Sequence, residues 1–100
     1  MKEKRTPLLT RQTMLILSIL MESSDPLPGS GLATVSALAS GTLYPILIRL
    51  EEAKWITSEW EKSGPDGTRA RRRLYKVTGL GVRRARQEAN EWKPLVERFA

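Results

Sequence analysis

From Arg11 to Met21 apolar side chains fill most positions: Met14, Leu15, Ile16, Leu17, Ile19, Leu20 and Met21, with Ser18 between them. Over so short a run, periodicity does not separate a helix from a buried strand. Thr10 as a cap, and no Gly or Pro from Arg11 to Met21, set the limits of a helical alternative running to about Ser23. A helix of this kind is apolar on more than one side and expects a second packing partner. Ser24 to Ser30 carries Asp-Pro and Pro-Gly and reads as a loop. Leu32 to Leu38 then allows about two turns of helix, broken near Ser36 or Ser40. Leu43, Ile46, Leu47, Leu50 and Ala53 step by three and four, which predicts a core-facing helix capped by Ser40 or Thr42. Pro45 places the first turn of that helix close by. Thr42, Tyr44, Ile48, Arg49 and Glu52 fall on its outer face.

Beyond Trp55 the period becomes two. Ile56–Trp60 and Arg72–Val77 predict a two-stranded ribbon, in whose second strand Arg73, Tyr75 and Val77 share a face. The loop Ser63–Thr68, with Gly64-Pro65-Asp66-Gly67, projects as a wing. Thr78 caps a last helix that begins at Gly79 and Gly81. There Val82, Ala85, Ala89, Trp92, Val96 and Phe99 have the spacing of a coiled-coil seam. Pro94 should bend or divide that helix, since it offers no N–H to the Asn90 carbonyl. The expected fold is mainly α with a small β-ribbon (α+β). A winged helix-turn-helix over residues 1–78 is followed by a dimerisation helix over 79–100.

Charge sharpens the picture. Seventeen Lys and Arg against eleven Asp and Glu leave a net +6, which favours a polyanionic partner. The absence of Cys and His excludes thiolate catalysis, zinc fingers, a Ser-His triad and His-ligated metals, and no cofactor is expected. Glu51-Glu52 and Glu59/Glu61 are pairs by adjacency only, so no acid/base dyad is implied and the chain reads as a non-enzyme. Met14–Met21 is too short for a bilayer span, and the expectation is a cytoplasmic chain with no membrane partner.

Between Arg69 and Arg86 the chain is densely basic with no acidic residue. A charged edge strand guarded against aggregation is the bland explanation. The clustering of Arg69, Arg71, Arg72 and Arg73 beside an outward helix face favours phosphate contact on double-stranded DNA instead. Ser40, Thr42 and Tyr44 supply hydroxyls for phosphate oxygens, and Arg49 is the one fork for a base edge on that helix. Trp92 carries two readings that sequence does not separate: a seam residue in a helix–helix interface, or a platform for a flat aromatic effector.

These residues resemble the PadR family of winged-helix transcriptional regulators. The match lies in Gly41-Thr42-Leu43-Tyr44-Pro45, Leu47, Arg49-Leu50-Glu51, Trp55-Ile56, Arg72-Arg73-Leu74-Tyr75, Val77-Thr78 and Gly81. The resemblance implies a dimeric repressor, with the third helix in the major groove and the wing on flanking backbone or minor groove. It also implies that the C-terminal helix crosses to the partner's first helix, bringing Leu15 and Ile19 against Val82, Ala85, Ala89, Trp92, Val96 and Phe99. Three features depart from the family pattern. Gly29-Ser30-Gly31-Leu32 stands where a Gly-Tyr pair usually opens the second helix. Lys54 stands where Gly often ends the third, and the C-terminal region is one helix with Pro94 rather than a longer bundle. The reading is a homodimeric, sequence-specific repressor on a palindromic operator. The alternatives are an accessory or architectural DNA-binding protein without effector control, or a basic protein-interaction module.

Overall fold

The computed structural model describes Pro7, residues 9–62 and residues 71–98, apart from the side chains of residues 95 and 96. The apolar run at the start is a helix, α1 (Arg11–Glu22). Thr10 caps it, its Oγ1 accepting from the Thr13 N–H at 3.2 Å. Thr13, Ile16, Leu17 and Leu20 are buried; Ile19 is half-buried and Leu15 stays 38% exposed.

The expected loop at Ser24–Ser30 is corrected. Leu27–Pro28 forms a short strand, β1, and α2 (Gly29–Ser36) starts at the next residue. Pro-Gly reads as a turn, yet Pro28 ends an edge strand where no N–H is demanded of it, and its fixed φ leads directly into a helix. Leu27 pairs with Tyr75 and Pro28 with Leu74.

Neither Ser40 nor Thr42 caps the next helix, α3 (Ser40–Glu52). Its N-cap is Ala39, without a side-chain bond. The tight connection explains this. Ala37 turns the chain at φ 60, the Leu38 N–H donates to Ser36 Oγ at 3.2 Å, and Ala39 is left extended. Ser40 is thereby drawn inside the first turn. Pro45 falls one turn later than its chemistry prefers, leaving the Gly41 carbonyl without its usual donor. Leu43, Ile46, Leu47 and Leu50 enter the core as the spacing predicts.

Lys54 adopts φ 66 at the end of α3. The Trp55 N–H donates to the Leu50 carbonyl and the Lys54 N–H to the Glu51 carbonyl, both at 3.0 Å. This is a Schellman closure, with Leu50 and Trp55 sharing the core. The geometry suited to glycine is kept by a lysine. Lys54→Gly should therefore raise stability by about 1 kcal/mol, read as a higher midpoint in urea with unchanged slope. A midpoint that fails to rise would show that the lysine bears no strain.

The ribbon β2 (Ile56–Trp60) and β3 (Arg73–Val77) pairs in antiparallel register, with Ser58 opposite Tyr75. β1 adds a third strand in the order β1-β3-β2. The expected wing tip, with Arg69, lies outside the described residues. Thr78 caps α4 (Gly79–Arg98), accepting from the Gly81 N–H at 3.1 Å. Pro94 does not divide α4, which continues to Arg98 at the cost of one carbonyl partner. Among the described residues no single helix is long and apolar enough to cross a membrane.

Candidate nucleic-acid interface

The chain turns by 119° between α2 and α3, within the range of about 90–120° for a helix-turn-helix. Both helices present bare N-termini. The caps are Pro28 and Ala39, and neither gives a side-chain bond, whereas α1 and α4 each carry a threonine cap. The first-turn N–H groups of a helix have no partner within it, and their partial positive charge suits an anionic oxygen.

Beside the start of α2 lies a cleft of about 210 Å³ lined by Pro28, Gly29, Ser30, Tyr44, Arg72, Arg73 and Tyr75. It joins the two helices to the ribbon. The Tyr44 ring rests so closely on Gly29 that a Cβ there would overlap its hydroxyl and come within 3.0 Å of Cζ. Tyr75 is 7% exposed, and its hydroxyl has no hydrogen-bond partner among the described residues. Every fully buried side-chain N or O described does have a partner, so this hydroxyl is not fully buried, and Tyr75 lines the cleft. Burial pushes the Tyr75 phenol up from 10.0, Tyr44 and Glu51 add to the rise, and Arg73 opposes it. The group therefore stays a protonated donor near neutral pH.

The arginines are not equivalent. Arg71 is exposed and has no ion-pair partner among the described residues. Arg72 donates through Nε and Nη2 to the Glu61 carboxylate at 3.1 and 3.2 Å, closing the base of the wing. Arg73 is a brace. Its Nε donates to Ser58 Oγ at 2.8 Å, its Nη2 lies 3.6 Å from Glu51, and its guanidinium stands 5.2 Å from the centre of the Trp60 ring. Ser58 Oγ in turn donates to Glu51 at 2.5 Å. This network links the end of α3 to both long strands. Sequence spacing missed Tyr75, Ser58 and Glu51 as parts of the site, although the two-residue period had placed Tyr75 beside Arg73.

On α3, Ser40, Tyr44 and Arg49 are exposed and Thr42 is half-buried. Leu15 and Ile19 lie one turn apart on α1, and α1 packs on α4 within the chain. Val82 and Trp92 are half-buried and Ala89 is exposed, whereas Ala85 is already part of the chain's own core. The Val96 side chain and Phe99 lie outside the described residues. The Trp92 indole N–H donates to Glu88 at 3.1 Å. A second cleft of about 450 Å³ runs along this helix between Pro7, Leu9, Trp55, Arg84, Gln87, Glu88 and Glu91.

Comparison with known proteins fits this geometry. A PadR family transcriptional regulator from Eggerthella lenta is 32% identical; the match covers 85% of this chain and 74% of that one, with a TM-score of 0.72. A PadR family regulator from Clostridium difficile is 26% identical over 88% of this chain and 93% of its own, with a TM-score of 0.76. The PcaV transcriptional regulator from Streptomyces coelicolor, solved with its natural ligand, shares the fold at 18% identity. Its TM-score is 0.76, over 96% of this chain and 64% of that one. No curated protein matches the sequence. The profile of the transcriptional regulator PadR-like family matches residues 30–87, more than half of the chain. With a winged helix of this architecture and a family match of this extent, the chain belongs to the PadR-like family of transcriptional regulators.

Proposed function

We propose that the protein is a homodimeric repressor that occludes promoter DNA in the cytoplasm, with residues 1–78 as the DNA-binding head and 79–100 as the pairing helix. The observation that carries this reading is the continuity of one face. The bare start of α2, Tyr75, Tyr44 and Arg72 meet in a single cleft beside the outward side of α3. A phosphodiester seated there fixes the register of α3 in the major groove, while Arg71 and Arg69 extend the grip along the backbone. Ser40 and Thr42 serve the next phosphate, and Arg49 the groove edge. Leu15 and Ile19 meet Val82, Ala89, Trp92, Val96 and Phe99 of a second copy, with Ala85 supporting the helix from inside. A flat aromatic effector is the ligand that suits paired Trp92 rings.

Selection of bound duplexes from a random pool tests the proposal. Imperfect palindromes should emerge, with half-sites about 10 base pairs apart between centres, protected in footprints by a species that sediments as a dimer. Bound DNA without any recurrent sequence would favour the accessory or architectural reading. A monomer that ignores duplex at low salt would end both.

A further inference from the structure

Among the described residues, Leu15, Val35, Tyr44, Ile48 and Trp60 are large, apolar and exposed. Trp60 lies beneath the Arg73 guanidinium and Tyr44 rests on Gly29. Ile48 has no such cover and is 59% exposed. It does not stand alone. Gly41, Tyr44, Pro45 and Ile48 are all exposed and follow one another at i, i+3, i+4 and i+7 along α3. That spacing makes one stripe on the helix face opposite the core. Of these four only the Tyr44 hydroxyl is polar, and it is turned toward Gly29 at the start of α2; Thr42, Arg49 and Glu52 flank the stripe on the same outer side. At its N-terminal end Gly41 has nothing within 4 Å of where a Cβ would be, so no neighbour in the chain requires glycine there. A bare backbone at that point lets the helix approach another surface closely.

A polar reader of base edges would carry Asn, Gln or Arg along this line. In the major groove the feature that an aliphatic side chain can recognise is the thymine 5-methyl group. Resting on the DNA-binding reading above, we infer that Ile48, assisted by Pro45, selects thymine in each half-site by packing against its methyl group. The basic residues Arg71 and Arg72, just before β3, favour a polyanion over an apolar protein surface as the occupant. Specificity at that position then comes from excluded water rather than from a hydrogen-bond fork.

The test uses the whole chain and the duplex recovered by selection. Each thymine in turn is replaced by deoxyuridine, which removes the methyl and leaves pairing and backbone unchanged. At one or two positions per half-site the parent chain should lose roughly fourfold in affinity per methyl. Ile48→Ala should bind the thymine duplex more weakly by a similar factor and lose its response to deoxyuridine at those positions. Its side chain is exposed, so an unchanged thermal melt is expected of the variant. Indifference of the parent chain to every deoxyuridine, with tight binding retained, overturns this inference alone. So does an Ile48→Ala variant that keeps the full methyl response, or one that alters self-association while keeping it. Failure to recover any duplex overturns the DNA-binding reading along with it.

Discussion

Replacing Gly81 with alanine should lower the melting midpoint by about 8–16 °C. A Cβ at Gly81 would run into the Trp55 carbonyl oxygen and come within 2.9 Å of Val77 Cγ2 and 3.0 Å of the Trp55 carbonyl carbon. That carbonyl has nowhere to retreat. It accepts from the Thr78 N–H at 2.9 Å, and the Thr78 hydroxyl lies 3.0 Å from it while also reaching the Lys54 carbonyl at 2.7 Å; Trp55 itself is 3% exposed. Thr78 is also the cap of α4, so relief of the clash must loosen the cap, the end of β3 or the tryptophan. Overpacking a fixed site costs about 1–3 kcal/mol, occasionally more, and this site stands at the upper end because its obstacle is backbone. Alanine's better helix propensity returns only about 1 kcal/mol. Circular dichroism melts of the two chains measure the effect. A midpoint within about 3 °C of the parent's, where a loss of well under 1 kcal/mol would put it, would mean that α4 does not sit this tightly on the domain.

The second large effect concerns binding. Changing Arg71, Arg72 and Arg73 together to alanine should abolish specific duplex binding at ordinary salt. It should also flatten the dependence on salt by about 0.9 for each phosphate no longer neutralised. The single variants should separate. Arg71→Ala removes an exposed charge with no ion-pair partner among the described residues, so binding and its salt slope fall while the melting midpoint stays put. Arg73→Ala strips Ser58, Glu51 and Trp60 of a shared partner and should also cost about 1 kcal/mol of stability. Arg72→Ala lies between, since half of its role is to hold Glu61. Titrations at several salt concentrations, paired with denaturant curves, check each case. If the triple variant keeps the parent's affinity and slope, the ribbon docks an acidic protein instead.

The parts of this architecture with a strong period were legible in the sequence. The core face of α3, the alternation of β3 and the threonine caps at Thr10 and Thr78 follow from local chemistry. The winged-helix class and the family also emerged from residues alone. What escaped were features decided by distant partners. A two-residue strand at Leu27–Pro28 exists only because β3 comes alongside, about fifty positions later in the chain. Local chemistry favours Ser40 as the cap of α3, but the turn through Ala37 decides where the first turn closes. Lys54 keeps a backbone that its side chain disfavours, because the Leu50–Trp55 closure and the core around it outweigh the local penalty. The arginines look interchangeable in sequence. Only the strand register, which sets Arg73 opposite Trp60 and Tyr75 opposite Ser58, distinguishes the bracing Arg73 from the exposed Arg71.

The brace has a consequence for control. With Arg73 joined to Glu51 at the end of α3 and to Ser58 and Trp60 on the ribbon, each head of the proposed dimer would be a braced fork that resists a change in the angle between its prongs. A signal received along α4 would leave that fork intact and change only how far apart two forks are held. A dimer of that kind would behave like a pair of calipers: its points stay sharp, and only the span between them is adjusted.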